Sequence, residues 1–327
     1  MARYPTDALD EAFAAGLLAP GGRFLLAVSG GPDSMAMLAA FGERASRWAA
    51  SYGVGHVDHA WRPASARLAA FVERECERRG VPCLVRRARG LHRGESREAQ
   101  ARALRYAALA GMASDLGAGA VVTAHTRDDA AETVILALLR GRPLSGLAGI
   151  RPARRDGVLR PFLGVPREEM LRYARIRGIP YRLDPSNADL AIERNWVRHK
   201  VLALLRKRHG ESAIANLAAS AESLGHDLEW LEERFASEIA PRLELEAPAP
   251  RAPLDFLRTL SPAPCRRAIM ALAAAAAPRF APTRKELLAL ARRIEEAEPW
   301  RFQAGRRVEF RARRGWLECR QIVADSL

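Results

Sequence analysis

Apolar and polar positions follow two rhythms along the first half of the chain. Phe24–Val28 is a short unbroken apolar run suited to a buried parallel strand; it stops at Ser29, and Met35–Trp48 resumes with apolar positions at helical spacing. The same pair of patterns returns three times. Val54–Val57 is followed by Arg67–Arg79, Pro82–Arg86 by Arg97–Leu116, and Ala120–Ala124 by Ala130–Leu139. Ahead of them, roughly the first 20 residues read as an amphipathic helix, capped by Thr6 or Asp7 and ended by Pro20-Gly21-Gly22. Pro166–Arg177 adds a helix and Ile179–Leu183 a further strand. Strands alternating with helices predict βαβ units, and so an α/β fold with an open parallel sheet and helices on both faces.

From Glu193 onward only helical patterns remain. Val197, Val201, Leu204 and Leu205 fall on one face, and Ile214–Phe235 reads as a long amphipathic connector. Glu246–Pro253, EAPAPRAP, is proline-rich and without period, as a linker is. Beyond it, helices over Pro262–Ala276 and Arg284–Glu296 precede strand-like runs at Arg307–Ala312 and Gly315–Ile322, a small α+β domain. The expected organisation is a catalytic domain over 1–210, a helical connector over 211–249 and a small C-terminal domain over 250–327.

Composition narrows the function. An apolar fraction of 49% in 327 residues supports packed cores. Arginine and lysine exceed the acids by 52 to 38, a net charge of +14. Residues 250–327 alone hold 16 basic against 8 acidic side chains, which suits a nucleic-acid partner. Cys76, Cys83, Cys265 and Cys319 lack CxxC spacing, so they read as reduced structural thiols of a cytoplasmic protein. The N-terminus has no apolar signal-like core, and the longest alanine-rich run, Ala268–Ala277, is too short to span a membrane. The only lysines are Lys200, Lys207 and Lys285. A Walker-type phosphate loop or a Schiff-base lysine ahead of Lys200 is thereby excluded.

In open parallel sheets, ligands bind beyond the C-terminal ends of the strands. Ser29–Ser34, SGGPDS, stands there after the first strand. Gly30 and Gly31 admit positive φ and a close phosphate, and Pro32 can begin a helix whose free N–H groups face the same spot. Ser29 and Ser34 offer hydroxyls. Asp33 suits either a bridging Mg²⁺ or the ordinary preference for an acid in a first turn. The second strand ends in Val57, Asp58 and His59, which alone read as a polar turn. The fourth ends in TAHTRDDAAET, bringing His125, Asp128, Asp129 and Glu132 together; such crowded acids call for a cation. Glu98, Arg102 and Arg105 form a charged helical stripe, which from spacing alone reads as a solvated face with Glu–Arg pairs. Arg194 and Arg198, one turn apart opposite Val197 and Val201, suit phosphates or solvent.

Together these segments resemble the PP-loop ATP pyrophosphatases, whose loop reads SGGxDS, and within them the tRNA(Ile)-lysidine synthetases. The resemblance covers about residues 20–205 through VDHAWR with Ser65, EAQARALRY, TAHTRDDAAETVILALLRG, GLAGIRP, RPFL, and DPSN followed by RNWVRH. It departs where Thr126 and Ala130 replace a usual histidine and glutamine. The resemblance implies a ligase that uses ATP and Mg²⁺ to adenylate the C2 oxygen of the wobble cytidine in tRNA(Ile) with a CAU anticodon. The ε-amine of L-lysine then displaces AMP and leaves lysidine, pyrophosphate having left earlier. It implies that Ser29, Gly30, Gly31, Pro32, Asp33 and Ser34 hold the pyrophosphate with Asp33 on the metal, and that Val57 and Asp58 lie near the adenosine. Arg105, His125, Asp129 and Glu132 would join Asp33 as catalytic residues, with Arg194 and Arg198 on the tRNA. Because the amine must shed a proton to attack, one acid is expected to serve as base. The basic C-terminal domain would grip tRNA, and a homodimer is compatible. The alternatives are another PP-loop tRNA-modifying enzyme, a thiolase, or an inactive RNA-binding relative.

Overall fold

The computed structural model describes residues 4–58, 63–87, 97–278, 280–296 and 298–322. Two compact units, Met1–His226 and Asp227–Leu327, divide the chain inside the helix Glu211–Arg234.

The first unit is built on five parallel strands: β1 (Arg23–Ala27), β2 (Ser51–Asp58), β3 (Cys83–Arg87), β4 (Ala120–Val122) and β5 (Val158–Leu159), in the order β3-β2-β1-β4-β5. Its helices are α1 (Pro5–Ala14), α2 (Pro32–Arg44), α3 (Pro63–Arg79), α4 (Arg97–Asp115), α5 (Arg127–Leu139), the single turn α6 (Leu144–Leu147) and α7 (Arg167–Ile176). Successive strand residues face opposite sides. Phe24 and Leu26 accordingly pack with Phe13 of α1, Phe41 of α2, Val72 of α3 and Tyr173 of α7. Leu25 packs instead with Leu109 and Met112 of α4 and with Val121 and Val158. With both faces covered, β1 has to be apolar throughout, and that is why it reads as an unbroken run. The strand order turns at β1, so the segments leaving β1 and β4 border the crevice where such sheets bind ligands.

Ile179–Leu183 is not a strand. Pro180 has no N–H for a ladder, Ile179 N closes the end of α7 on Ala174 O at 2.8 Å, and Arg182 N donates to Gly30 O at 2.9 Å. The segment thus braces the loop after β1. The fifth strand is Val158–Leu159, too short to show a period. At the N-terminus, Tyr4 is the cap and Pro5 takes the first helical position, leaving Thr6 buried inside the helix. The helical stretch Glu193–Trp196 continues through a π-helical segment, Val197–Leu202, into Ala203–His209. The wider turn rotates the apolar face, so Leu202 is 0% exposed while Leu204, expected beside Val201, is 65% exposed.

The second unit holds an antiparallel sheet in the order β6-β9-β8-β7, made of β6 (Arg251–Pro253), β7 (Trp300–Ala304), β8 (Val308–Arg313) and β9 (Trp316–Gln321). Ile269 and Leu272 of the helix Pro262–Ala276 and Leu290 of the helix Arg284–Ile294 pack with Phe310 and Leu317 of the sheet. Two of these strands were not expected. β7 alternates Trp300, Phe302 and Ala304 with polar residues, and β6 lies inside the expected linker, where its edge position tolerates Pro253. Among the described residues, no helix is long and apolar enough to cross a membrane.

Candidate active site

The loop after β1 is held by its own serines. Ser34 Oγ donates to Gly31 O at 2.9 Å, accepts from Ser29 N at 3.2 Å, and shares a 3.2 Å hydrogen bond with Ser29 Oγ. Only one of the two glycines needs its freedom for this turn. Gly30 has φ +83°, and a Cβ there would stand 2.6 Å from Leu68 Cδ1. Gly31 is the extended N-cap of α2, with φ −77° and nothing nearer to a Cβ than Ser29 Oγ at 3.6 Å. Pro32 opens the helix and Asp33 stands in its first turn. The free N–H groups of that turn point into the crevice as an anion site.

Helix α5 starts from β4 in the neighbouring position. Thr126 is its N-cap, and both its N and its Oγ1 donate to Asp129 Oδ2 at 2.9 Å. The departure at Thr126 therefore supplies a cap that fixes Asp129, and leaves Oδ1 facing outward from the turn. Glu132 lies one turn along and is 0% exposed. Ala130, the other departure, is buried.

Arg167, the first residue of α7, links these two helix starts. Its Nε donates to Asp33 Oδ2 at 3.3 Å, Nη2 to Asp129 Oδ1 at 2.7 Å and Nη1 to Glu132 Oε1 at 2.8 Å. Two further guanidiniums complete the cluster. Arg194 Nε donates to Glu132 Oε2 at 2.9 Å, and Arg198 takes Glu132 with both Nε at 2.6 Å and Nη2 at 3.0 Å. Arg194 and Arg198 also lie 3.3 Å and 3.5 Å from Asp129 Oδ1. The two residues thus sit on the acids through the helical face opposite Val197, with their side chains only about a quarter exposed, at 27% and 24%.

The electrostatics follow from burial and charge. Burial alone would raise Asp129 and Glu132, but Arg167 and Arg194 overcome it at Asp129, and the Arg198 hydrogen bond and Arg167 do so at Glu132, so both stay below their ordinary values. At Asp33 burial prevails over Arg167, Asp129 adds repulsion, and the carboxyl is pushed up to about 6. Its Oδ1 is buried and has no hydrogen-bond partner.

His125 follows β4 and shares a 2.7 Å hydrogen bond between its Nδ1 and Thr123 Oγ1. Burial, with Arg160 and Arg102 adding to it against Asp129, pulls its pKa down to about 4, so the ring is neutral at pH 7. Asp128 takes a different role from its neighbours. It accepts Arg167 N at 2.8 Å and pairs with Arg206, tying α7 and the Ala203–His209 helix to α5. Asp58 is buried at the end of β2 and accepts Arg87 Nε at 3.4 Å; Val57 beside it is half-buried. Arg105 is exposed on α4, near Arg194. His59 and the side chains of Ser65 and Glu98 lie outside the described residues.

Sequence reasoning missed Arg167. The available signal was indirect: acids as crowded as Asp129 and Glu132 need cations, and REEM after Pro166 starts a helix with one. Chemically, the crevice joins an anion site at the start of α2 to a carboxylate pair that can hold a cationic amine or accept its proton.

A PP-loop domain family matches residues 6–205. The chain is 42% identical over 240 residues to a tRNA(Ile)-lysidine synthase of Thermus thermophilus, covering 72% of this chain and 46% of that one. For Symbiobacterium thermophilum the identity is 40% over 67% and 47%. The synthase of Novosphingobium aromaticivorans is 39% identical over 78% of both chains. The chain spans about half the length of the first two relatives. In fold it resembles the U34-tRNA thiolase NcsA of Methanococcus maripaludis, with a TM-score of 0.56 at 16% identity over 70% of this chain and 78% of that one. With its SGGPDS turn, its crevice acids and these relatives, the chain belongs to the PP-loop family and, within it, to the tRNA(Ile)-lysidine synthases.

Proposed function

We propose that the chain modifies tRNA(Ile) bearing a CAU anticodon. It adenylates the C2 oxygen of the wobble cytidine with ATP, and the ε-amine of L-lysine then attacks C2 and displaces that oxygen as part of AMP. Pyrophosphate leaves in the first step and lysidine remains after the second. The observation that carries this reading is the meeting of the phosphate-loop Asp33 with the Asp129–Glu132 pair on one guanidinium. Phosphate chemistry and amine chemistry would thereby share one crevice.

The residues divide the work as follows. Backbone N–H groups at Gly31 and the first turn of α2, with the Ser29 and Ser34 hydroxyls, would hold the pyrophosphate portion of ATP. Asp33 fits Mg²⁺, because its unpartnered Oδ1 is a hard oxygen donor beside that loop. The ion would neutralise phosphate charge. Val57 and Asp58 would border the adenosine, at the end of the strand next to β1. Asp129 and Glu132 would hold the lysine ammonium, and Asp129 would take the proton that the amine sheds as it attacks. Neutral His125, close enough to feel the Asp129 charge, would add a polar contact beside that pair, and Arg105, near Arg194 on α4, would add another from the exposed side. Arg194 and Arg198 would keep the acids ionised while their outer N–H groups meet the tRNA. The second unit's excess of arginine would bind tRNA phosphates.

Thiolation fits less well. Cys83 begins the edge strand β3, at the end away from the strand C-termini that border the crevice, Cys76 lies near the end of α3, and Cys265 and Cys319 belong to the second unit. The test is incorporation of labelled L-lysine into a CAU-bearing tRNA(Ile) transcript. Incorporation that needs ATP supports the reading. Incorporation without ATP, or none with this tRNA while the protein is folded, refutes it. In Asp129→Asn, adenylated tRNA is expected to form without lysine while transfer to lysine fails.

A further inference from the structure

Three guanidiniums face three carboxylates in the crevice, so with Arg167 on the acids the cluster is already electrically balanced. An ammonium placed between Asp129 and Glu132 makes a fourth cation, and one of the arginines has to yield. Arg198 grips Glu132 through two bonds, and Arg194 is held by Glu132 and Asp129 together. Arg198 reaches Asp33 only through its charge, whereas Arg167 makes a direct ion pair with it. Arg167 instead gives one bond to each of three acids, and one of the three belongs to the phosphate loop.

The backbone of Arg167 is fixed, because its N–H is held by Asp128 Oδ2 at 2.8 Å. Its side chain is 22% exposed, so a change in the guanidinium's partners needs only side-chain rotation about that anchor. A phosphate at the start of α2 lies on the Asp33 side of the guanidinium. Phosphate charge there attracts the guanidinium toward the loop and away from Asp129 and Glu132, which frees the pair for an amine.

We propose that Arg167 is a positioning residue that couples the two substrates: it moves from the Asp129–Glu132 pair to the nucleotide's phosphates, so that ATP and the amine each tighten the other's binding. This inference rests on the functional reading above. It adds an order to the site, because the amine binds well only where a phosphate has drawn the arginine aside.

Reciprocity makes the test thermodynamic. L-Lysine is titrated calorimetrically into the full chain with and without Mg²⁺ and an ATP analogue whose α,β bridge is methylene. The analogue is titrated with and without lysine. The expected result for the wild type is that each ligand tightens the other by the same factor, on the order of tenfold. In Arg167→Gln, lysine is expected to bind without analogue about as tightly as the wild type does with it, and the mutual factor should fall below about twofold. A residue that merely braces the fold would weaken both ligands instead. Two bound ligands without mutual tightening in the wild type, or a variant that keeps the full factor, overturn the proposal; the wild-type arm decides if the variant does not fold. Absence of lysine binding under every condition, with the analogue still bound, overturns the functional reading along with it. Binding without coupling overturns the coupling alone.

Discussion

Gly30 and Gly31 separate what the fold needs from what a ligand needs. Gly30 carries the positive φ and has Leu68 packed against it, so Gly30→Ala is expected to cost about 1–2 kcal/mol in urea unfolding. A Cβ in Gly31→Ala meets only an ordinary contact with Ser29 Oγ at 3.6 Å, and stability should stay within about 0.5 kcal/mol. Nucleotide affinity should nonetheless fall at least about tenfold, since a methyl group there crowds the phosphate approach. An affinity unchanged in Gly31→Ala would place the phosphate elsewhere. Asp33 offers a second test, through pH. Its carboxyl stands at about 6 against an ordinary 3.8, chiefly because of burial, which is on the order of 3 kcal/mol against the ionised form. Between those two values the folded protein keeps a proton that the unfolded chain has lost, so stability falls as pH rises through that window. Asp33→Asn, measured without nucleotide, should melt with the wild type below about pH 4 and a few degrees above it beyond about pH 6.5. A variant that melts lower at neutral pH would contradict the assignment. At this scale SGGPDS was legible because a strand, two glycines, a proline and a helix start are consecutive. Arg167 was not, because its bonds reach back 134 residues to Asp33, 38 to Asp129 and 35 to Glu132.

Elements that repeat a period were legible, and those that break one were not. The apolar runs of β1 and β4 and the helical spacing of α2 and α5 stood out because each keeps its rhythm for at least a few residues. Val158–Leu159 has too few residues to show alternation. The π-helical turn at Val197–Leu202 shifts the phase, which is why Leu204 is exposed where the simple helical wheel buried it. The hairpin between β8 and β9 carries a prediction of its own. Arg313 pairs with Trp316 across Arg314 and Gly315, both at positive φ, the geometry of a two-residue turn that favours Asn-Gly. Arg314→Asn should therefore stabilise the protein by about 0.5–1 kcal/mol, read from the melting of the full chain. If arginine is there for RNA, the same variant should bind tRNA more weakly at low salt. A variant neither more stable nor weaker on tRNA would remove both the strain and the role.

For the whole molecule, the two units and the net charge of +14 set the expected energetics of tRNA binding. Affinity for tRNA should fall steeply and log-linearly with salt, through release of counterions from its phosphates. Lysine and nucleotide binding at the crevice should respond far less, because paired groups that are half-buried or fully buried are screened less. The α/β class and the basic C-terminal unit could be read from alternation and charge, whereas the location of the boundary inside the helix Glu211–Arg234 could not, since an amphipathic helix shows no seam. The central claim is that one crevice first adenylates RNA and then passes it to an amine. It is tested most directly by incubating the protein and CAU-bearing tRNA(Ile) with ATP labelled on the α-phosphate, without lysine. The account predicts label bound covalently to the tRNA, with pyrophosphate released, and label leaving as AMP when L-lysine is added. Label that never joins the tRNA, or that remains on it after lysine is supplied, would contradict the account.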